Sequence, residues 1–456
     1  MFRPDDTIVA VATPQGKGSL GIVRISGPEA LALAKGLLDH SAQLKPRYAT
    51  LAKIIDHIQA QEPSGIDQVI ATFFPRPRSY TGEDVVELSA HGSPVLLERI
   101  VGLALLQGAR LAEPGEFTLR AFMNGRLDLV QAEAVGDLVN AVTPLQARMA
   151  FDQLEGTMTG LIASLDVRLF DLIARLEASL DFPDEGYHFI KTREVVQSVE
   201  ELLKQVRELL SGAASGRLIR EGCQIVILGK PNVGKSTLFN YLVGSDRAIV
   251  TSEAGTTRDL ITEVIDLDGL AVTLVDTAGI RTAEGSVEAE GVSRARQAIG
   301  VAAAVVVVLD QSRVLGPEDW AVLEETAKMP RVMVLNKADC SRSWSSDSLV
   351  GGDRVVSLSA LTGDGVCVLR ETLREILVGI DLLRDTPRIA NIRHINLLER
   401  AATALESAKS AANEAAGEEF ILADLDRART ALEELTGKRT SDDVLQHIFE
   451  RFCIGK

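Results

Sequence analysis

The sequence predicts a multidomain α/β chain: an N-terminal α+β domain, an α-helical domain, and a doubly wound phosphate-loop module inserted into the helical one. Three observations carry this. Short β-branched runs give way to a 3.6-residue hydrophobic repeat near residue 119, strands and helices alternate over residues 218–379, and helical periodicity returns after about residue 388. A GxxxxGK[ST] pattern directly follows a β-branched run inside the alternating stretch. The expected divisions are 1–118, 119–217, 218–379 and 380–456, the second and fourth being two parts of one helical domain.

In the first division, Thr7–Ala12, Gly21–Ser26, Gln68–Phe74 and Val85–Ser89 read as strands. Gly27–Leu38 reads as a helix with Pro28 at its start, and Ser93–Gln107 as a second, with Ser93 as cap, Pro94 in the first turn and Gly108 as the stop. Gly16–Gly21 spells GxGxxG, but β-branched Ile22–Ser26 follows where a dinucleotide fingerprint must open a helix, so a glycine turn between strands is expected. In the helical division, Leu161, Leu165, Leu169, Leu172, Leu176 and Leu180 line one face, and Val195, Val199, Leu202, Val206 and Leu209 another. Asp181–Gly186 breaks the pattern as a loop, and Ser211–Gly216 reads as a helix end or joint.

The 456 residues carry 48 Lys and Arg against 64 Asp and Glu, a formal charge of −16. Nucleic acids and anionic membranes are bound through Lys and Arg, so this balance speaks against the chain as a strong nucleic-acid binder alone. Any RNA must meet a local basic patch or a partner. The cysteines Cys223, Cys340, Cys367 and Cys453 form no CxxC, which points to a reducing compartment without a disulfide framework or zinc site. The first residues lack a signal-peptide pattern, and Val301–Leu309 is too short for a membrane span and fits a buried parallel strand. A cytoplasmic protein without a membrane partner is expected.

The strand Cys223–Leu228 leads into Gly229-Lys-Pro-Asn-Val-Gly-Lys235-Ser236. Inward-turned N–H groups and the following helix N-terminus suit phosphates, with Lys235 reaching the β/γ-phosphates and Ser236 on Mg²⁺. That loop alone leaves ATP and GTP open. Downstream, Gly255–Asp259 offers Thr257 as a second Mg²⁺ ligand, and Asp276-Thr-Ala-Gly279 offers a carboxylate near the metal and an N–H for the γ-phosphate. In Asn336-Lys-Ala-Asp339 the carboxylate can accept from guanine N1–H and the 2-amino group, a donor pair adenine lacks. Ser359-Ala360 fits a backbone contact to the guanine oxygen. Five motifs in this order, each at a strand end, give a Ras-like G domain. Ile280 stands where many small GTPases place a water-orienting Gln, so Arg281, Glu284, Glu288 or Glu290 must supply a polar group. The amide oxygen of Asn232 can ligate a monovalent cation beside the phosphates.

With Asp6–Ala10, Gly21–Gly27, Ser79–Glu87, His91-Gly92, Pro114–Phe117, Asp181–Glu185, the G motifs and the final Phe452-Cys-Ile-Gly-Lys456 on the page, the chain resembles the MnmE (TrmE) family of bacterial and organellar tRNA-modifying GTPases over essentially its full length. The resemblance implies an N-terminal folate-binding and dimerising domain. It implies a homodimer that works with an FAD-containing partner subunit in a heterotetramer-like complex. Together these install an aminomethyl-type group on C5 of the wobble uridine of certain tRNAs. The one-carbon donor would be 5-formyl- or 5,10-methylene-tetrahydrofolate, and K⁺-dependent dimerisation would activate the G domains.

By matched position, GTP would meet Asn232, Val233, Gly234, Lys235, Ser236 and Thr237, then Thr251, Ser252, Glu253, Ala254, Gly255, Thr256 and Thr257. It would also meet Asp276, Thr277, Ala278 and Gly279, Asn336, Lys337, Ala338 and Asp339, and Ser359, Ala360 and Leu361. Asn232, Thr251, Glu253 and Thr256 would surround K⁺, Ser236 and Thr257 would hold Mg²⁺, and Glu288 would orient water. Folate contacts would fall on Arg24, Glu87, Arg126 and Lys456, Arg126 standing where some relatives carry Lys. Cys453, beside cationic Lys456, is a candidate nucleophile or acid/base near the folate; its CaaX-like position is a poor lipidation match. His91 reads as structural. The competing class is a regulatory or ribosome-assembly GTPase switch whose flanking domains only bind partners.

Overall fold

The computed structural model describes residues 6–39, 43–56, 64–181, 191–246, 261–276, 300–345, 354–378, 389–414 and 417–456. They group into two units, Met1–Gly136 with Gln153–Lys191 and Ala416–Lys456, and Asp137–Asp152 with Thr192–Ala415.

The first unit is built on the sheet β3-β4-β5-β2-β1-β6, formed by Ile8–Val11 (β1), Gly21–Ser26 (β2), Thr50–Asp56 (β3), Ser64–Phe74 (β4), Val85–Ala90 (β5) and Arg110–Leu111 (β6). All pairings are antiparallel except β1 with β6. Alternation decides the faces: in β3, Ala52 and Ile54 are buried while Leu51 is exposed. Helices Ala30–Leu37 and Pro94–Leu106 cover the inner face through Leu33, Leu37, Leu97 and Ile100. The segment between β1 and β2 is a turn, as the residue types after it require. β3 was not expected, because apolar Leu51 and Ile55 on its outer face and polar Asp56 on its inner face hide the alternation. The first helix starts at Ala30 with Glu29 as N-cap, later than its Pro28 suggested. Ser93 does cap the second by position, but its side chain makes no capping bond.

Helix Thr157–Asp181 packs on Glu418–Thr436 within the first unit. Its leucine stripe is right in the middle and wrong at both ends: Leu165, Leu169, Leu172 and Leu176 are buried, whereas Leu161 and Leu180 are each 37% exposed. In the second unit Thr192–Ser211 packs on Ile392–Asn413 through Val195, Val199, Leu202 and Val206. Each unit therefore pairs a helix that precedes the phosphate-loop module in sequence with one that follows it. Ser211 ends one helix, and Ala213–Glu221 starts another at once, so the expected joint is only one residue wide. The loop expected at Asp181–Gly186 lies, past Asp181, outside the described residues.

The second unit holds the sheet β12-β11-β10-β7-β9-β8, from Cys223–Leu228 (β7), Ile261–Leu267 (β8), Leu270–Asp276 (β9), Ala304–Asp310 (β10), Arg331–Asn336 (β11) and Arg354–Ser357 (β12). It is parallel apart from the β8 edge. Every residue of β10 is buried, with Ala304, Val306 and Val308 in one core and Val305, Val307 and Leu309 in the other. A strand covered on both faces reads as an unbroken apolar run, but the strand expected at Val301–Leu309 begins only at Ala304: Val301 ends the preceding helix and is 72% exposed, so the apolar run overstates the strand by three residues. No helix among the described residues is long and apolar enough to cross a membrane.

The stripe yields a test. Leu172→Ala should cost about 2–5 kcal/mol in the unfolding transition of its unit, while Leu161→Ala should cost under about 1 kcal/mol. Comparable shifts for both in denaturant melts would contradict the burial assignment.

Candidate functional sites

The carboxyl ends of β7, β9, β10 and β11 converge, and the G motifs sit there, as ligand sites do in open α/β sheets. Gly229 leaves β7 at φ +150, where a Cβ would lie 2.4 Å from the Val308 carbonyl, so only glycine lets the loop start against β10. Asn232 takes a left-handed φ of +64, which Asn tolerates better than most side chains. Lys235 is buried at the start of helix Lys235–Asp246, and its Nζ donates to the Lys230 carbonyl at 2.9 Å.

Asn336 fastens this loop to the base-reading segment. Its Nδ2 donates to the Val233 carbonyl at 2.7 Å, and its Oδ1 accepts from the Ala360 N–H at 2.9 Å. Asp339 accepts from the Ser359 hydroxyl at 2.6 Å, and this bond holds its carboxyl below the ordinary range. It is an ionised acceptor, whereas the Ala360 N–H expected to meet the guanine oxygen is donated here to Asn336 Oδ1. Leu361 is 76% exposed, and Ala338 donates its N–H to Leu358 O at 3.1 Å. Ser236 Oγ donates to Asp276 Oδ2 at 2.8 Å, so a hydroxyl and a buried carboxylate meet where a divalent cation with oxygen ligands would fit. Thr237 is exposed beside Ser236 on the helix. Thr251, Ser252, Glu253, Ala254, Gly255, Thr256, Thr257, Thr277, Ala278, Gly279 and Glu288 lie outside the described residues.

Two ion pairs behind this site were not anticipated. Lys337, at φ +69, bonds Asp310 at 2.6 Å; burial pushes Asp310 up, but Lys337 and Ser312 outweigh it and hold the carboxyl low. Lys230 of the phosphate loop bonds the fully buried Asp319 carboxylate at 2.6 Å. The signal for Asp310 was available: like β9, the apolar run of β10 ends in an aspartate.

The first unit gathers a second cluster. Arg24 faces Glu87 across β2 and β5 and bonds it at 2.9 Å, and its guanidinium lies 5.0 Å from the Tyr80 ring centre and 5.6 Å from that of Phe117. The last residues return to the same place: Ile454 bridges Pro114, Phe117 donates its N–H to Lys456 O at 3.2 Å, and Arg24 Nη1 reaches Gly455 O at 3.4 Å. Gly455, at φ +98, passes so near β1 that a Cβ would lie 2.2 Å from the Val11 carbonyl. Partial burial lowers the Lys456 ammonium pKa, with Arg24 adding to this and Cys453 opposing it. Cys453 is exposed, and its carbonyl accepts from Gly115 N–H at 3.4 Å. The Arg24 and Glu87 side chains are partly exposed, while the Phe117 ring against Arg24 is fully buried. Arg126 is exposed on the turn after helix Glu116–Met123, and its Cγ lies over Gly82. His91 is held by Asp67, which accepts from its ring at 2.7 Å and its backbone N–H at 2.9 Å.

Asp339→Asn should lower GTP affinity at least roughly tenfold, since a charged acceptor pair becomes one acceptor and one donor. The same change presents a donor to the 2-carbonyl of xanthine, so xanthosine triphosphate should bind the variant better than the wild type. Titration calorimetry with both nucleotides checks this.

Comparisons with known proteins follow the same outline. Residues 7–126 match the family model of the GTP-binding protein TrmE N-terminus, and residues 129–453 match the MnmE helical domain. The tRNA modification GTPase MnmE of Koribacter versatilis is 42% identical over 458 residues, covering 99% of each chain. That of Aquifex aeolicus is 41% identical over 454 residues, covering 99% of this chain and 100% of its own. Among solved structures, the G domain of the T. maritima FeoB iron transporter aligns at TM-score 0.28 and 26% identity, over 34% of this chain and 98% of that one. With both models matched in order and relatives above 40% identity along the whole length, the chain belongs to the MnmE (TrmE) family.

Proposed function

We propose that this GTPase hydrolyses GTP in the service of tRNA modification, acting as a homodimer with an FAD-dependent partner subunit to place an aminomethyl-type group on C5 of the wobble uridine. The observation that carries the reading is the assembly of Asn336, Asp339 and Ala360 around the phosphate loop, in a chain that matches relatives named tRNA modification GTPase from end to end. A ribosome-assembly switch would have no use for the Arg24–Glu87 cluster closed by residues 454–456.

In this reading Lys235 and the N–H groups of Asn232, Val233, Gly234 and Thr237 hold the phosphates, and Asp339 selects guanine. Mg²⁺, bound by Ser236 and Thr257, would neutralise developing phosphate charge. K⁺ would sit with Asn232, Thr251, Glu253 and Thr256, and Glu288 would orient water. Arg24, Glu87, Arg126 and Lys456 would hold a tetrahydrofolate derivative near Cys453. The proposed divisions remain 1–118, 119–217, 218–379 and 380–456.

Bulk tRNA from a strain lacking this chain should lose the C5-modified wobble uridine, and re-expression should restore it. Nucleoside analysis showing an unchanged wobble position would reject the modification role. For the cation, turnover should fall when Na⁺ replaces K⁺ at equal ionic strength, and Asn232→Ala should erase the difference. Equal wild-type rates in the two salts would remove K⁺ from the scheme.

A further inference from the structure

On a chain of charge −16, one pair of loops in the first unit carries cations without anions. Residues 43–49 (Gln-Leu-Lys-Pro-Arg-Tyr-Ala) and 75–78 (Pro-Arg-Pro-Arg) hold Lys45, Arg47, Arg76 and Arg78 and no carboxylate. The fold brings them side by side. Arg47 donates its backbone N–H to Phe73 O at 2.7 Å at the end of β4, Pro46 bridges Phe73, and Arg47 Nη2 donates to the Arg78 carbonyl. All four cations are exposed, and among the described residues none of them is engaged in an ion pair. Asp84, which lies beside the second loop, accepts from the Arg76 backbone N–H at 2.8 Å.

The loops are also stiff. Pro46, Pro75 and Pro77 fix φ along them, and Arg47 is held at φ +57, so presenting these charges costs little further ordering. Tyr48, 62% exposed, stands among the cations, with Lys45 Nζ 5.9 Å from its ring centre. Arginine forks match phosphate oxygens, and an exposed aromatic ring gives an unstacked base a face to lie on. A lipid surface would need large aliphatic side chains among the cations; the loops' own large aliphatic side chain, Leu44, is buried, and the exposed pair Leu51 and Ile70 lies on the strands β3 and β4, not in the loops.

We propose that the Lys45–Tyr48 and Arg76–Arg78 loops are where this acidic chain grips tRNA, the arginines and Lys45 on phosphates and Tyr48 against a base. This rests on the tRNA reading above. It also resolves the charge problem, because a few fixed cations on a repelling body localise the RNA rather than bind it indiscriminately.

The test uses the complete complex with its FAD-dependent partner and tRNA from a strain lacking this chain. The variant Lys45→Ala/Arg76→Ala/Arg78→Ala leaves Arg47, which ties the loops, in place. It should raise the tRNA concentration for half-maximal modification roughly tenfold and reduce the slope of log affinity against log salt by about 2, with GTP turnover unchanged. Arg76→Lys/Arg78→Lys should retain most of the affinity. Unchanged half-saturation and salt slope would overturn the proposal, as would loss of the partner subunit on purification, which would mark the loops as a protein-docking surface. If the wild-type complex modifies no tRNA, the functional reading fails on its own. Filter binding of the same tRNA to both complexes then still decides the surface: weaker variant binding supports it, and equal binding refutes it.

Discussion

The second unit depends on one side-chain amide. Asn336 is buried and spends both halves at once, its donor on the phosphate loop at Val233 and its acceptor on the base loop at Ala360. Each bond is worth only about 0.5–1.5 kcal/mol net, but leaving either buried partner unmade costs about 1–3 kcal/mol. The larger effect is geometric. Phosphate recognition and base recognition come from loops more than a hundred residues apart, and a single planar group sets their separation. Lys337, next in sequence, is anchored by Asp310 on the neighbouring strand, so the segment proposed to read guanine is held from two directions.

The first unit uses charge where the second uses an amide. Arg110 and Arg120 bind Asp6 and Glu116, and Arg120 also reaches Glu83 at 3.2 Å. Burial works against the charge on Arg120, yet Glu83, Glu116 and Asp6 raise its pKa; the two arginines likewise keep Asp6 low despite its desolvation. Buried networks of this kind add little net stability when complete and cost much when broken. What this one does is fix the helix Glu116–Met123, whose first turn supplies Phe117 to Arg24 and the N–H that donates to the Lys456 carbonyl.

The strand ends that carry the phosphate loop, Asp276 and Asn336–Asp339 were legible because each motif follows a β-branched run, and most of β10 was legible because a doubly covered strand is apolar up to its closing Asp310. The ion pairs Lys337–Asp310 and Lys230–Asp319 were not, since a pairing partner follows from strand order and helix placement rather than from spacing. The leucine stripe failed at Leu161 and Leu180 for a related reason. The face that the partner helix covers runs through Met158, Ile162, Leu165, Leu169, Leu172, Leu176 and Ser179 to both ends, and Leu161 and Leu180 each sit one residue off it. The Arg24 cluster was visible only as separate motifs; register across β2 and β5 and the return of residues 453–456 bring Arg24, Glu87 and Lys456 into one place.

That return has a consequence for how the chain is made. The N-terminal sheet leaves the ribosome first, yet Gly115 and Phe117 donate to Cys453 and Lys456, more than 300 residues later. At about 5–20 residues per second the sheet waits roughly 20–70 s with these N–H groups and the Val11 edge open. For that interval these donors lack the partners that residues 453–456 supply only after the GTPase module has been synthesised.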